Sequence, residues 1–142
     1  MLRLLPEFFR PVVVPAAVLA ELDRGLEIGI DLPLIREIPW AHPASPPEPA
    51  PIWTAAELGA GETEVIALGL QNPGSVLILD DRLARSFAQQ SGLPVIGTLG
   101  ILVRAKREGH ISSLPLFLER LNGLGFRLSN QTRAAVLRLA GE

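Results

Sequence analysis

Short β-branched apolar runs alternate along this chain with stretches whose apolar residues recur at helical spacing. Val12-Val13-Val14, bounded by Pro11 and Pro15, reads as a short buried strand. Pro15 suits the first position of a helix, where its missing N–H is no loss. Val18, Leu19 and Leu22 give that helix an apolar face, and Gly25 is its expected stop. Ahead of it, residues 2–9 read as the tail of a helix. Residues 35–41 read as a further strand, pushed to a sheet edge by Pro39.

Five prolines then fall within residues 43–51, which predicts an extended loop and excludes helix or central strand. A helix is expected from Gly59-Ala60-Gly61-Glu62 to about Leu70, and a turn at Asn72-Pro73-Gly74. Ser75-Val76-Leu77-Ile78-Leu79 is a continuous apolar strand, as in a sheet covered on both faces, and Asp80-Asp81 ends it. A helix over 82–91 leads to a strand at Pro94-Val95-Ile96-Gly97. Thr98 is then expected to cap a helix ending near Gly109. Ser112-Ser113 reads as the cap of a helix over 114–121, and a last helix covers 131–139. Strands alternating with helices predict an α/β fold built on a parallel sheet.

Length and composition narrow this picture. The chain has 142 residues, 48% hydrophobic and 20% charged, which fits one folded domain over 1–142. The absence of cysteine excludes disulfides, zinc–thiolate sites and cysteine nucleophiles. No apolar run approaches the roughly 20 residues of a membrane span. Glu7 and Arg10 interrupt the N-terminal segment too early for a signal peptide. A cytoplasmic chain without membrane contact is expected. A formal net charge of −2 means that any nucleic acid must be met by a local basic patch.

Asp80-Asp81 is the sharpest chemical signal. Two carboxylates at the C-terminal end of a buried strand lie where open α/β sheets bind ligands. Adjacent acids repel, and a hard divalent cation relieves the repulsion. The residues alone favour the plainer reading, Asp81 as the cap of the next helix and Asp80 as merely solvated. Glu62 and Glu64 occupy a first helical turn, where acids favour the helix dipole; Glu62 is also placed to face Asp81 across the sheet edge. Glu21 reads as a surface acid or as a partner of that group. His42 and His110 have no partner at metal-ligand spacing. Arg82, Arg85, Arg104, Lys106 and Arg107 are either solvated helix faces or a modest basic patch.

Four segments occur in order and at characteristic spacing. They are Val12 to Leu22 with Glu21, Leu58 to Leu68 with Gly59, Gly61, Glu62 and Glu64, Val76 to Arg85 with Asp80 and Asp81, and Val95 to Leu102 with Gly97 and Thr98, followed by Ala105, Lys106 and Gly109. Together they resemble a branch of the PIN-domain superfamily related to VapC-type toxins, over nearly the whole chain. The resemblance implies three layers, with a parallel sheet between helices, and acids at the strand ends holding magnesium or manganese. It implies metal-assisted hydrolysis of RNA. By position, Glu21, Glu62 and Asp81 would be catalytic and metal-holding, with Asp80 assisting. Arg82, Arg85 and Thr98 would bind substrate or orient it.

Members of that family open with a strand bearing an Asp or Asn. Met1 falls within the helical region that follows, so the resemblance implies a missing first strand and first acid, or a natural start further upstream. Three readings follow: a ribonuclease, possible toxin to a small antitoxin protein; a binding or assembly module that forms homo-oligomers; and a degenerate fragment.

Overall fold

Three β-branched residues in succession set the strand β1, Val12–Pro15. In the computed structural model, which describes residues 2–48 and 57–142, β1 pairs in parallel with β2, Ala41–Ala44. Val12 lies opposite Ala41 and Pro15 opposite Ala44. Val12 and Pro15 are buried, but Val13 is 45% exposed, so β1 is covered on one side only and is not the fully buried strand expected.

The strand expected over 35–41 begins later. Ile35–Glu37 is a 3-10 turn, and Ala41 N donates back to Ile38 O. These local bonds consume the backbone groups that a strand would offer its neighbour. The proline-rich segment 43–51 is also not all loop: Pro43 and Ala44 belong to β2, with Pro43 opposite Val14. A proline without an N–H is tolerated because β2 pairs only with β1 among the described residues. Residues 49–51 lie outside the described residues.

A 3-10 turn, Leu2–Leu4, and a single helical turn α1, Leu5–Phe8, precede β1. The helix α2, Ala16–Glu27, follows it. Gly25 does not stop α2; it is buried inside, and a Cβ there would meet Leu32 Cδ1 at 2.5 Å. The stop is Gly29, at φ 84°, where Gly29 N donates to Leu26 O and Ile30 N to Gly25 O. This is the paired bonding that a left-handed residue after a helix permits.

The helix α3, Ala60–Gln71, packs on α2, β1 and the short strand β3, Leu77–Ile78. β3 pairs in parallel with β4, Val95–Ile96, and Leu79 N extends the pairing to Ile96 O. Between them runs α4, Arg82–Gln90. Ile66, Leu77, Leu79, Ala84 and Ala88 form the buried cluster that joins α3, β3 and α4. The small Ala84 and Ala88 let α4 lie close against the strands. Helices and parallel strands thus mix as an α/β architecture, although the strands form two separate pairs among the described residues and not one continuous sheet.

These elements make one compact unit, Met1–Ile96; Gly97–Glu142 makes a second. The second holds α5, Thr98–Arg107, α6, Leu114–Gly123, and α7, Asn130–Ala140. The three helices pack on one another, and Ile101, Leu102 and Ala105 of α5, Leu114, Leu118 and Leu121 of α6, and Val136 and Ala140 of α7 are buried. Thr98 is the first helical residue and not a cap: Gly97 holds that position, and no side chain caps α5. Ser113 is the cap residue of α6, but its hydroxyl does not close the helix; Leu114 N donates to Glu142 Oε2 at 2.8 Å. Among the described residues no helix is long and apolar enough to cross a membrane.

Candidate active site

Three helices begin around one open cleft in the first unit. Two of them begin without a side-chain cap of their own. α2 starts after Pro15 and α3 after Gly59, neither of which carries a side-chain acceptor. The first N–H groups of a helix are unsatisfied by the helix itself, so acceptors must come from elsewhere. Each helix supplies the other's. Glu64 Oε2 on α3 accepts from Ala17 N at 2.8 Å, and Glu21 Oε1 on α2 accepts from Gly61 N at 3.1 Å. Ala17 is level with Glu64 and Glu21 with Gly61, so the helices run antiparallel. Gly61 permits the close approach: a Cβ there would lie 3.0 Å from Glu21 Oε2 and 3.1 Å from Val18 Cγ2.

The third helix, α4, carries its own cap. Asp81 Oδ1 accepts from Ala84 N at 2.8 Å. Asp80, exposed, lies between that cap and the run 75–79, which is not covered on both faces as expected: Leu77 and Leu79 are buried, but Val76 is 44% exposed. Glu62, in the first turn of α3, folds its carboxylate back over Gly59.

Glu21, Glu62, Asp80 and Asp81 line a single cleft of about 180 Å³, together with Val18, Gly61, Val65, Ile78 and Leu79. A larger and more apolar groove, beside Trp40 and Phe9 at the start of β1, carries no acid; His42 lines that groove. The carboxylate chemistry therefore lies in the smaller cavity. Arg85 Nη1 donates to Leu79 O at 3.0 Å, bracing the strand end just before Asp80, while Arg82 is exposed. Thr98, Arg104, Lys106, Arg107 and His110 belong to the second unit. There Arg104 pairs with Glu108 at 2.7 Å and Lys106 with Glu142 at 3.0 Å.

The donor set of the cleft is all carboxylate oxygen, which suits a hard divalent cation and not a soft one. Glu21 and Asp81 each place one oxygen on a backbone N–H and keep a second for another partner. Among the described residues no group of three or more His, Asp and Glu side chains comes close enough to hold an ion as they stand. The chemistry of the set fits a metal; Glu21 and Asp81 each keep one oxygen on a helix N–H.

In the sequence Glu64 reads only as an acid favourable to the dipole of its own helix; in the structure it caps α2. The signal that points to it is the pair of helices opening after Pro15 and Gly59, without Ser, Thr, Asp or Asn at either cap.

A family model for the PIN domain matches residues 1–142. The match spans the whole chain, so the protein belongs to the PIN domain family, which is of nuclease type and generally uses divalent metal ions. No curated protein and no solved structure matches the chain.

Proposed function

We propose that the protein is a metal-dependent ribonuclease that hydrolyses RNA phosphodiester bonds, of the VapC-related kind that acts as the toxin of a toxin–antitoxin pair in the cytoplasm. The observation that carries this reading is the single cleft to which α2, α3 and the end of β3 bring Glu21, Glu62, Asp80 and Asp81. Magnesium or manganese would be held by Glu62, Asp80 and the second oxygens of Glu21 and Asp81. When bound, it would supply an activated water and offset the charge that develops on the phosphate. The chain's own part is to bring these four carboxylates to one cleft, where they would close on the ion as it binds. Arg82 stands exposed beside Asp81, where a guanidinium can pair with a phosphate. Arg85 keeps the strand end in place through Leu79 O.

The test is cleavage of a single-stranded RNA in manganese by the wild-type protein and by Asp81→Asn. Asn caps a helix as well as Asp does, so this change removes the charge and spares α4. Loss of cleavage in a variant of unchanged stability supports the reading. Cleavage that survives opposes it.

A second reading, a binding or assembly module that forms homo-oligomers, is favoured by β1. That strand pairs on one side only among the described residues and leaves Val13 45% exposed. A free strand edge recruits another chain. Light scattering tests this reading: a strictly monomeric protein would rule it out.

A further inference from the structure

Two antiparallel helices tied at one point can pivot about it; tied at two points a turn apart, they cannot. α2 and α3 are tied at two. The Glu64–Ala17 bond and the Glu21–Gly61 bond lie four residues apart on α2 and three apart on α3, along the face the helices share. Both ties join a carboxylate to a partly buried backbone N–H that has no acceptor within its own helix. Only the second tie belongs to the cleft. Glu64 does not line it, and its carboxylate is directed to Ala17.

We propose that Glu64 is a positioning residue of the acidic cleft: by tying the first turn of α2 to α3, it fixes the register in which Glu21 meets Gly61 and presents its second oxygen to the cleft. The proposal rests on the reading of the cleft as a metal-dependent hydrolytic site. It makes reach, and not charge, the property that matters at position 64. Gln keeps the length and an acceptor oxygen. Asp keeps the charge but is one methylene too short to bridge to Ala17.

The experiment compares Glu64→Ala, Glu64→Asp and Glu64→Gln in the full chain, well below the melting temperature of each. Manganese affinity is measured by calorimetry and the exchange of the Gly61 amide by NMR. Ala and Asp are expected to weaken manganese binding by roughly tenfold. They are also expected to speed Gly61 exchange by about fivefold, the loss of one hydrogen bond, while amides in the middle of α3 stay unchanged. Gln is expected to restore both. In a Glu21→Gln background, Glu64→Ala should no longer alter manganese affinity, because the residue through which it acts is already changed.

A change confined to global stability would leave manganese affinity and Gly61 exchange of the folded protein unmoved, and would overturn the proposal. So would a Glu64→Ala effect of equal size in both backgrounds, or rescue by Asp and not by Gln. Wild-type protein that binds no manganese overturns the reading on which the proposal rests, a result distinct from manganese binding that ignores position 64.

Discussion

Glu21 closes the N-terminus of a helix to which it does not belong: its Oε1 accepts from Gly61 N at 3.1 Å, across the α2–α3 contact. A residue that reads as a surface acid is thereby fixed at the mouth of the acidic cleft. Glu64 returns the same service to α2 through Ala17. The two carboxylates shape the site before any ion or substrate arrives.

The cap at Asp81 separates structure from charge. Asp81→Ala should destabilise the protein by about 1 kcal/mol through the lost cap, and Asp81→Asn by little. Both should abolish any manganese-induced rise in melting temperature. Urea unfolding and melting curves with and without manganese check the two effects independently.

Glycines in the helices differ in what surrounds them. A Cβ at Gly69 would lie 2.6 Å from Leu77 Cδ1, and Leu77 is only 3% exposed. Overpacking of this kind costs about 1–3 kcal/mol, against a helix-propensity gain of about 1. Gly69→Ala should therefore destabilise. Gly123, at the end of α6, has nothing within 4 Å of an added Cβ. Gly123→Ala should be neutral or stabilise by up to about 1 kcal/mol. Opposite shifts in the urea midpoint are the expected result.

Glu142 makes the second unit sensitive to acid. The Lys106 ammonium that bonds to it, then the Leu114 N–H, hold its carboxyl below the ordinary value of 4.5, against the opposing effect of burial. A carboxyl depressed in the folded state contributes stability above its unfolded pKa and loses it as pH falls through the folded one. The stability difference between wild type and Glu142→Gln should be constant near neutrality and shrink as pH falls below about 4.5. Denaturant unfolding across that range measures it. A difference that does not change with pH would contradict the assigned partners.

What was legible in the sequence was whatever its local chemistry decided. Val12-Val13-Val14 is a strand because three β-branched residues leave little else, and Asp81 before Arg82 is a helix cap by composition alone. The helices expected from Gly59 to about Leu70, over 82–91 and from Thr98 to near Gly109 are found within two residues, at Ala60–Gln71, Arg82–Gln90 and Thr98–Arg107. Tertiary contacts decided the rest. Gly25 looks like a helix stop until Leu32 is seen to cover it, and Gly29 takes the role. Residues 35–41 read as a strand, but their first three residues close into a turn through the Leu34 and Ile35 carbonyls. Ser113 has the composition of a cap, yet Glu142, 28 residues beyond Leu114, does the capping. Asp80 and Asp81 announce themselves as a pair, whereas Glu21 and Glu64 gain their meaning from helices that meet 40 and 47 residues apart in the chain.

The most direct test of the central claim is cleavage of a single-stranded RNA in manganese by wild type, Glu21→Gln and Asp81→Asn, each shown by melting to be folded. Both substitutions keep a hydrogen-bond acceptor for the backbone N–H they cap and remove one negative charge from the cleft. The account predicts cleavage by the wild type that requires manganese, and its loss in both variants at nearly unchanged stability. Cleavage of equal rate in all three proteins would mean that the acids around the cleft are helix caps and nothing more.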